Sequence, residues 1–485
     1  MASHHDHLLH ALAAFAHGVP LGLDSATRAA SRHAVIDSLA VALGALRHPA
    51  ALAGRRYAQH AIVARGATLW GTGERVTAEM AALVNGVPLR GYDYNDLYIG
   101  RSGGHPSDII PGALAIAQWR GLPGGDLLAA IALGFEVQIA LFDTLDLDRP
   151  GWDYPVITGI GAACSYARLL GLTEIQTREA IAIVVTKHLV TDEVESGELN
   201  DRGDLTMWKR FNGSNACRQA LAACLLAESG VEGAVRPFEG AHGLLSKLQA
   251  QPADRETLLA RLADARACTR IGSVTFKRWP VGSRAQSAIQ AALEAHASLR
   301  DAGSDPARVQ AIRVRADRQV YEHLIARRAD PFHPVSRETA DHSLAYVVTA
   351  AVLDGRIGTD SFSPSRVLAP DIQAILDARV QVQADPSIST GAAGGFLTAV
   401  EVIDEQGRSH RGVARPPPGH RLQPFTEQDF QAKFIENVEP VFGRDRTAAL
   451  LDQLLTIDSD NNSSIDALCR ALVADPSTPL SMPVD

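Results

Sequence analysis

The feature that most constrains this fold is a succession of alanine- and leucine-rich segments with helical spacing, running from Ser25 to Ala227. In the stretch from Ser25 to Leu46, Ala29, Ile36, Leu39 and Leu43 share one face while Arg28 and Arg32 fall elsewhere, as in a helix packed on other helices. The same spacing predicts helices over 78–87, 109–119, 127–141, 157–170, 177–185 and 216–227. Glycines at 121, 124, 125, 171 and 230 punctuate them, and the many Ala and Gly positions imply closely approaching helices. From about Ile271 the pattern changes. Short apolar-alternating runs at 274–276, 312–314, 380–382, 396–403 and 409–413 read as strands, with helices at 283–299, 342–353 and 364–376 between them. Helical spacing returns at 427–437, 446–455 and 465–472.

Charge and cysteine usage narrow the function classes. Forty-six basic against 55 acidic residues leave a net charge of −9, with no long basic run, which argues against nucleic-acid binding. An acidic chain can still hold an anion in a local basic pocket. The five cysteines are scattered, with no C-x-x-C, so neither a disulfide framework nor a cysteine metal site is expected. The start of the chain has no basic region followed by an apolar core, and the apolar stretch near Leu127–Phe135 reads as too short for a membrane span. The expectation is a cytoplasmic protein without membrane or nucleic-acid partners. The N-x-S/T triplets at Asn212, Asn461 and Asn462 are then chance matches, and the run His4-His5-Asp6-His7 reads as a frayed, silent terminus.

Three polar clusters carry candidate chemistry. In the first, Gly91-Tyr-Asp-Tyr-Asn-Asp96 precedes Gly103-Gly-His-Pro-Ser-Asp108, and the glycine pair delivers His105 to the start of a helix. Ser107 and Asp108 suit ordinary helix capping. His105 beside an aspartate suits a general acid or base, the carboxylate fixing its tautomer and raising its pKa. In the second cluster, Lys209 and Arg210 precede a helix N-terminus, where an anion or simple solvation is equally expected. The third, Phe276-Lys-Arg-Trp-Pro-Val-Gly-Ser-Arg284, places Lys277, Arg278 and Arg284 at the change of texture, suiting a carboxylate clamp in a cleft or plain surface charge. H-E-x-x-H, the P-loop signature, a complete G-x-G-x-x-G and the G-x-S-x-G elbow do not occur.

Across these clusters the chain resembles the MmgE/PrpD family, whose activities include 2-methylcitrate dehydration, cis-aconitate decarboxylation and iminodisuccinate epimerisation. The matching pieces are Asp93-Tyr-Asn-Asp96, Gly104-His-Pro-Ser-Asp108, Lys209 with Asn215-Ala216, Phe238-Glu-Gly240 with Gly243, Lys277-Arg-Trp-Pro280, and Asp341-His-Ser-Leu-Ala-Tyr346 with Leu353-Asp-Gly355. The resemblance implies a mainly α fold: a large all-helical domain (1–269 and 405–485) plus a smaller α/β lid domain (270–404). It also implies a homodimer and a site without metal or cofactor. Carried over by motif, Asp93, His105, Lys209 and Lys277 fall on active-site positions, and Tyr321 on an active-site tyrosine position across a local length difference. The chain departs from its relatives at Leu97 (a threonine in the decarboxylase pattern), at Tyr154 (a histidine in many relatives) and at Gly282 (a histidine in the decarboxylase).

The chemistry implied is proton abstraction beside a carboxylate. His105, oriented by Asp93, is the expected proton-transfer group. Lys209 and Lys277 are expected to bind substrate carboxylates, with Arg278, Arg284 and Tyr321 as further binding candidates. Tyr154 is expected either to act as acid toward a leaving hydroxyl or only to fill space. The reading is a hydro-lyase of the 2-methylcitrate dehydratase type acting on a small polycarboxylate. The alternatives are a dicarboxylate epimerase, a cis-aconitate decarboxylase-like enzyme, or a carboxylate-binding protein without turnover.

Overall fold

A computed structural model describes residues 5–20, 22–187, 190–195, 200, 205–264, 268–328, 330–388, 395–459 and 464–474. His4, Asn461 and Asn462 lie outside the described residues. The chain is mainly α and builds two separate hydrophobic cores.

The larger core is a bundle around helix Gly124–Thr144, which is apolar on every side and buried almost throughout. Contrary to the sequence expectation, this helix is long and apolar enough to cross a membrane; here most of it is buried, chiefly against other helices. Small residues allow the packing. Gly112 of helix Ile110–Arg120 lies against the ring of Tyr166 in helix Pro155–Leu170, and Gly134 abuts Ile109 and Ser165. The C-terminal helices Glu427–Phe442, Arg444–Leu455 and Ile465–Ala471 return to this core through Phe430, Phe434, Leu450 and Ile465. At the other end Asp6 is fully buried, accepting the amides of Leu9 (3.0 Å), Phe238 (2.8 Å) and Glu239 (3.0 Å). The terminus is therefore anchored from this point on rather than frayed, and Phe238-Glu-Gly240 is part of that anchor.

The second core centres on a four-stranded sheet in the order Val380–Ala384, Ala311–Ala316, Thr398–Ile403, Ser409–Gly412, the first pair parallel and the others antiparallel. In Ala311–Ala316 the alternation places Ile312, Val314 and Ala316 inward, in the second core, while helix Gln286–Asp301 packs on strands Thr398–Ile403 and Ser409–Gly412. Arg313 and Arg315 point outward to Glu401 and Asp385.

Several expectations change. The all-helical body contains the small hairpins Ile62–Thr68 with Arg75–Val76 and Tyr98–Ile99 with Gly103–Gly104. The expected strand at 274–276 is a single bridge, Leu97 and Thr275 exchanging backbone hydrogen bonds of 2.8 and 2.9 Å. The expected helix at 364–376 is broken into Pro364–Val367 and Pro370–Ala378, because Pro370 opens a new helix. The expected limits at 270 and 404 also move. Val274 belongs to the larger core and Trp279 to the second, while strand Ser409–Gly412 completes the second sheet.

Candidate active site

The site is assembled where the two cores meet. Helix Ala78–Leu89 is buried apart from Glu79 and ends at Arg90, whose side chain is also buried. Asp93 follows in the left-handed region (φ 47°), a conformation that aspartate tolerates better than most residues. Its carboxylate accepts from Arg90 Nη1 (3.1 Å) and from Lys277 Nζ (2.9 Å), and Lys277 also donates to the Asp93 carbonyl (2.6 Å). Lys277 thus bridges from the junction of the two cores into the Asp93 loop. On the far side His342 Nε2 stands 3.7 Å from Asp93 Oδ2, while its Nδ1 pairs with Asp341.

His105 is delivered by the hairpin Tyr98–Ile99 with Gly103–Gly104, and Gly104 is required because a side chain there would strike the rings of Phe142 and Tyr154. The tautomer is not set by Asp93 as expected. Nδ1 lies 2.6 Å from the carbonyl oxygen of Asp96, which can only accept, so Nδ1 carries the proton and Nε2 keeps its lone pair. Ser107 does not cap a helix either; its amide and hydroxyl both donate to the buried Asp96 carboxyl group. Tyr154 stands edge-on to His105 with ring centres 5.2 Å apart and donates its hydroxyl to Asp108 Oδ2 at 2.8 Å.

Lys209 and Arg210 lie inside the first turn of helix Trp208–Glu228, not before it, and both are buried. Arg210 is ion-paired with Glu338 of helix Arg337–Ala340, from the second core. Three expected binding residues are engaged elsewhere. Arg278 donates to Glu436 at 2.9 Å, Arg284 lies over the ring of Phe396 at 4.7 Å, and Tyr321 packs on the second core. Beside Lys277 a cavity of about 590 Å³, counting its open mouth, is lined by Leu97, Tyr98, Phe276 and Phe396 among others.

Burial and charge set the protonation states. Burial would push Asp93 up, but Lys277 and Arg90 outweigh it and hold the carboxyl well below its usual range. His105 is not raised by its aspartate. Burial, then Arg90 and Lys277, hold it well below the usual imidazole value against the weaker pull of Asp93. Burial lowers Lys277 to about 8, lifts Asp108 to about 6 and, with Asp108, lifts Tyr154 well above the usual phenol value. The arrangement is a neutral imidazole with a free nitrogen beside buried cations, which can remove a proton from an acid whose charge those cations hold.

Sequence reasoning missed Arg90, Glu338 and His342. Arg90 had a readable signal: a lone cation at the end of an otherwise apolar helix, three residues before Asp93. His342 had a weaker one, its sequence neighbour Asp341.

The match to known proteins covers both cores. Residues 10–256 match the MmgE/PrpD N-terminal domain and residues 279–457 the MmgE/PrpD C-terminal domain, so the gap between them falls where the two cores part. The chain is similar to the cis-aconitate decarboxylase of Homo sapiens, at 26% identity over 85% of this chain and 83% of the relative. It is similar to the 2-methylcitrate dehydratase of Cupriavidus necator, at 26% identity over 87% of this chain and 89% of the relative. The 2-methylcitrate dehydratase of Escherichia coli is 23% identical over 74% of each chain. With both domain signatures matched in order across most of its length, the chain belongs to the MmgE/PrpD family.

Proposed function

We propose that the protein is a hydro-lyase that removes water from a small hydroxylated di- or tricarboxylic acid without a cofactor, and that the unit around the second core acts as a lid over the site. The observation that carries this reading is His105, neutral and with Nε2 unprotonated, beside the buried cations Arg90 and Lys277. Relatives named as dehydratases and a decarboxylase, at 23–26% identity, support a lyase over other classes.

His105 Nε2 takes the proton next to a carboxylate, and the developing enolate-like charge is stabilised by the cations. Lys277 has three donor hydrogens, and Asp93 occupies two acceptor positions around it, leaving one for substrate. An anionic substrate also offsets the positive field of Arg90 and Lys277 that depresses His105, so binding strengthens the base when it is needed. Tyr154, with its proton directed to Asp108, steadies the ring of His105 in this scheme.

The test is incubation with a panel of hydroxylated polycarboxylates, following alkene absorbance and exchange of the α-hydrogen with deuterated water. A dehydratase gives both. Change of optical rotation without an alkene would make the protein an epimerase, and saturable binding with neither signal would make it a binding protein. Activity is expected to survive chelation, and sedimentation is expected to show a dimer; recovery of activity only with added metal, or a monomer, would remove those two parts of the reading.

A further inference from the structure

Removing water requires an acid as well as a base, and the hydroxyl of Tyr154 is poorly placed for that task. Its proton already bonds Asp108, and burial beside that carboxyl group holds it on the phenol. A second imidazole stands across the site. His342 lies between helices Arg337–Ala340 and Leu344–Asp354 of the second core and reaches over to Asp93 of the larger one. Its Nδ1 is held by Asp341, which is fully buried and cannot swing away, so Nε2 is the nitrogen turned toward Asp93.

That ring packs closely on Gly282. A Cβ at 282 would sit 3.2 Å from both Cδ2 and Nε2 of His342, and the Gly282 amide donates to the Asp341 carbonyl at 3.3 Å. The two histidines are built alike and partnered differently. His105 rests on a neutral carbonyl among cations, as suits a base; His342 rests on a carboxylate, as suits a proton donor.

We propose that His342, positioned by Asp341 and packed on Gly282, is the general acid that protonates the leaving hydroxyl. The assignment rests on the dehydratase reading above. His105 Nε2 accepts the α-proton, the electron pair of that C–H bond becomes the new C=C bond, and the C–O bond breaks toward oxygen. His342 Nε2–H then protonates that oxygen, giving water and the alkene. The cycle closes when His105 releases its proton to solvent and His342 takes one up.

His342→Gln, which keeps a polar side chain but cannot ionise, separates the two halves of the reaction. Dehydration is expected to fall roughly 10²–10⁴-fold, while exchange of the α-hydrogen in deuterated water persists within a few-fold and substrate affinity is little changed. His105→Ala is expected to lose both exchange and dehydration. An analogue with fluoride in place of the hydroxyl needs less help in leaving, so His342→Gln should recover elimination on it and His105→Ala should not. Unchanged dehydration in His342→Gln overturns the proposal. So does a parallel loss of exchange, dehydration and binding, which would make His342 a support for Asp93, or failure of the fluoro analogue to restore elimination. A wild-type protein that neither exchanges nor dehydrates any acid in the panel overturns the dehydratase reading itself, an outcome visible before any variant is made.

Discussion

Asp93 holds an unfavourable backbone conformation and a buried charge at once, and both are offset by the two cations it gathers. The same gathering sets the pH window. Lys277 loses its proton as pH rises through about 8, so substrate binding should weaken on the alkaline side and KM should climb there. Asp93 is the group that raises Lys277, so Asp93→Asn should move this alkaline limb to lower pH. It should also move the acid limb of kcat/KM downward, because a base works unprotonated and Asp93 is the carboxylate holding the imidazole up. KM and kcat/KM measured from pH 3 to 10 check both limbs; a fixed alkaline limb would remove Lys277 from substrate binding. His105→Ala should lower kcat roughly 10²–10⁴-fold with a smaller effect on KM, since the cations remain. Full α-hydrogen exchange in that variant would transfer the base role to another residue.

At the scale of elements, helix Trp208–Glu228 shows how packing and chemistry share one segment. Its first turn carries Lys209 and Arg210, and one turn later Gly213 faces the Asp108 and Tyr154 side chains so closely that a methyl group would collide with Asp108 Oδ2. Gly213→Ala should therefore cost about 1–3 kcal/mol by overpacking and part Tyr154 from Asp108, read as a lower unfolding midpoint together with a loss of rate. Unchanged stability would mean that the helix shifts freely to make room. The helices themselves were legible in the sequence because one buried stripe at a period of 3.6 is a local signal. The hairpin Ile62–Thr68 with Arg75–Val76 was not, since its ladder is interrupted between Ile62 and Ala67 and its strands alternate poorly. Lys209, Arg210 and Lys277 were legible as a basic set but not as buried, because burial is decided by segments distant in the chain. For the same reason Arg278 reads like its neighbour Lys277 and yet turns to Glu436.

At the scale of the whole molecule, two cores with separate interiors meet over a charged seam, so the site exists only while they are docked. Beyond Lys277 with Asp93, the seam holds the Arg210–Glu338 pair, with His48 Nε2 3.6 Å from Glu338, and Arg337 lying over the ring of Tyr92 at 4.1 Å. Glu338→Gln keeps the shape but leaves buried Arg210 without its carboxylate, a change that costs roughly 3–5 kcal/mol when a buried pair is broken from one side. That cost falls on docking more than on either interior, because neither residue is part of a hydrophobic core. The variant should therefore keep its helical content and lose catalytic rate, with amide exchange quickening around Asp93 and in helix Arg337–Ala340. Burial pushes Glu338 up, but Arg210 and His48 outweigh it and hold the carboxyl below its usual range. The Arg210–Glu338 pair is thus charged at neutral pH, while burial lowers the neighbouring His48 and leaves it neutral there. The wild type should loosen as pH falls below the usual carboxylate range toward the lowered Glu338 value. In Glu338→Gln the loosening is already present at pH 7 and should no longer depend on acid. Wild-type exchange rates at the seam in the variant would show that the apolar contacts alone hold the two units together.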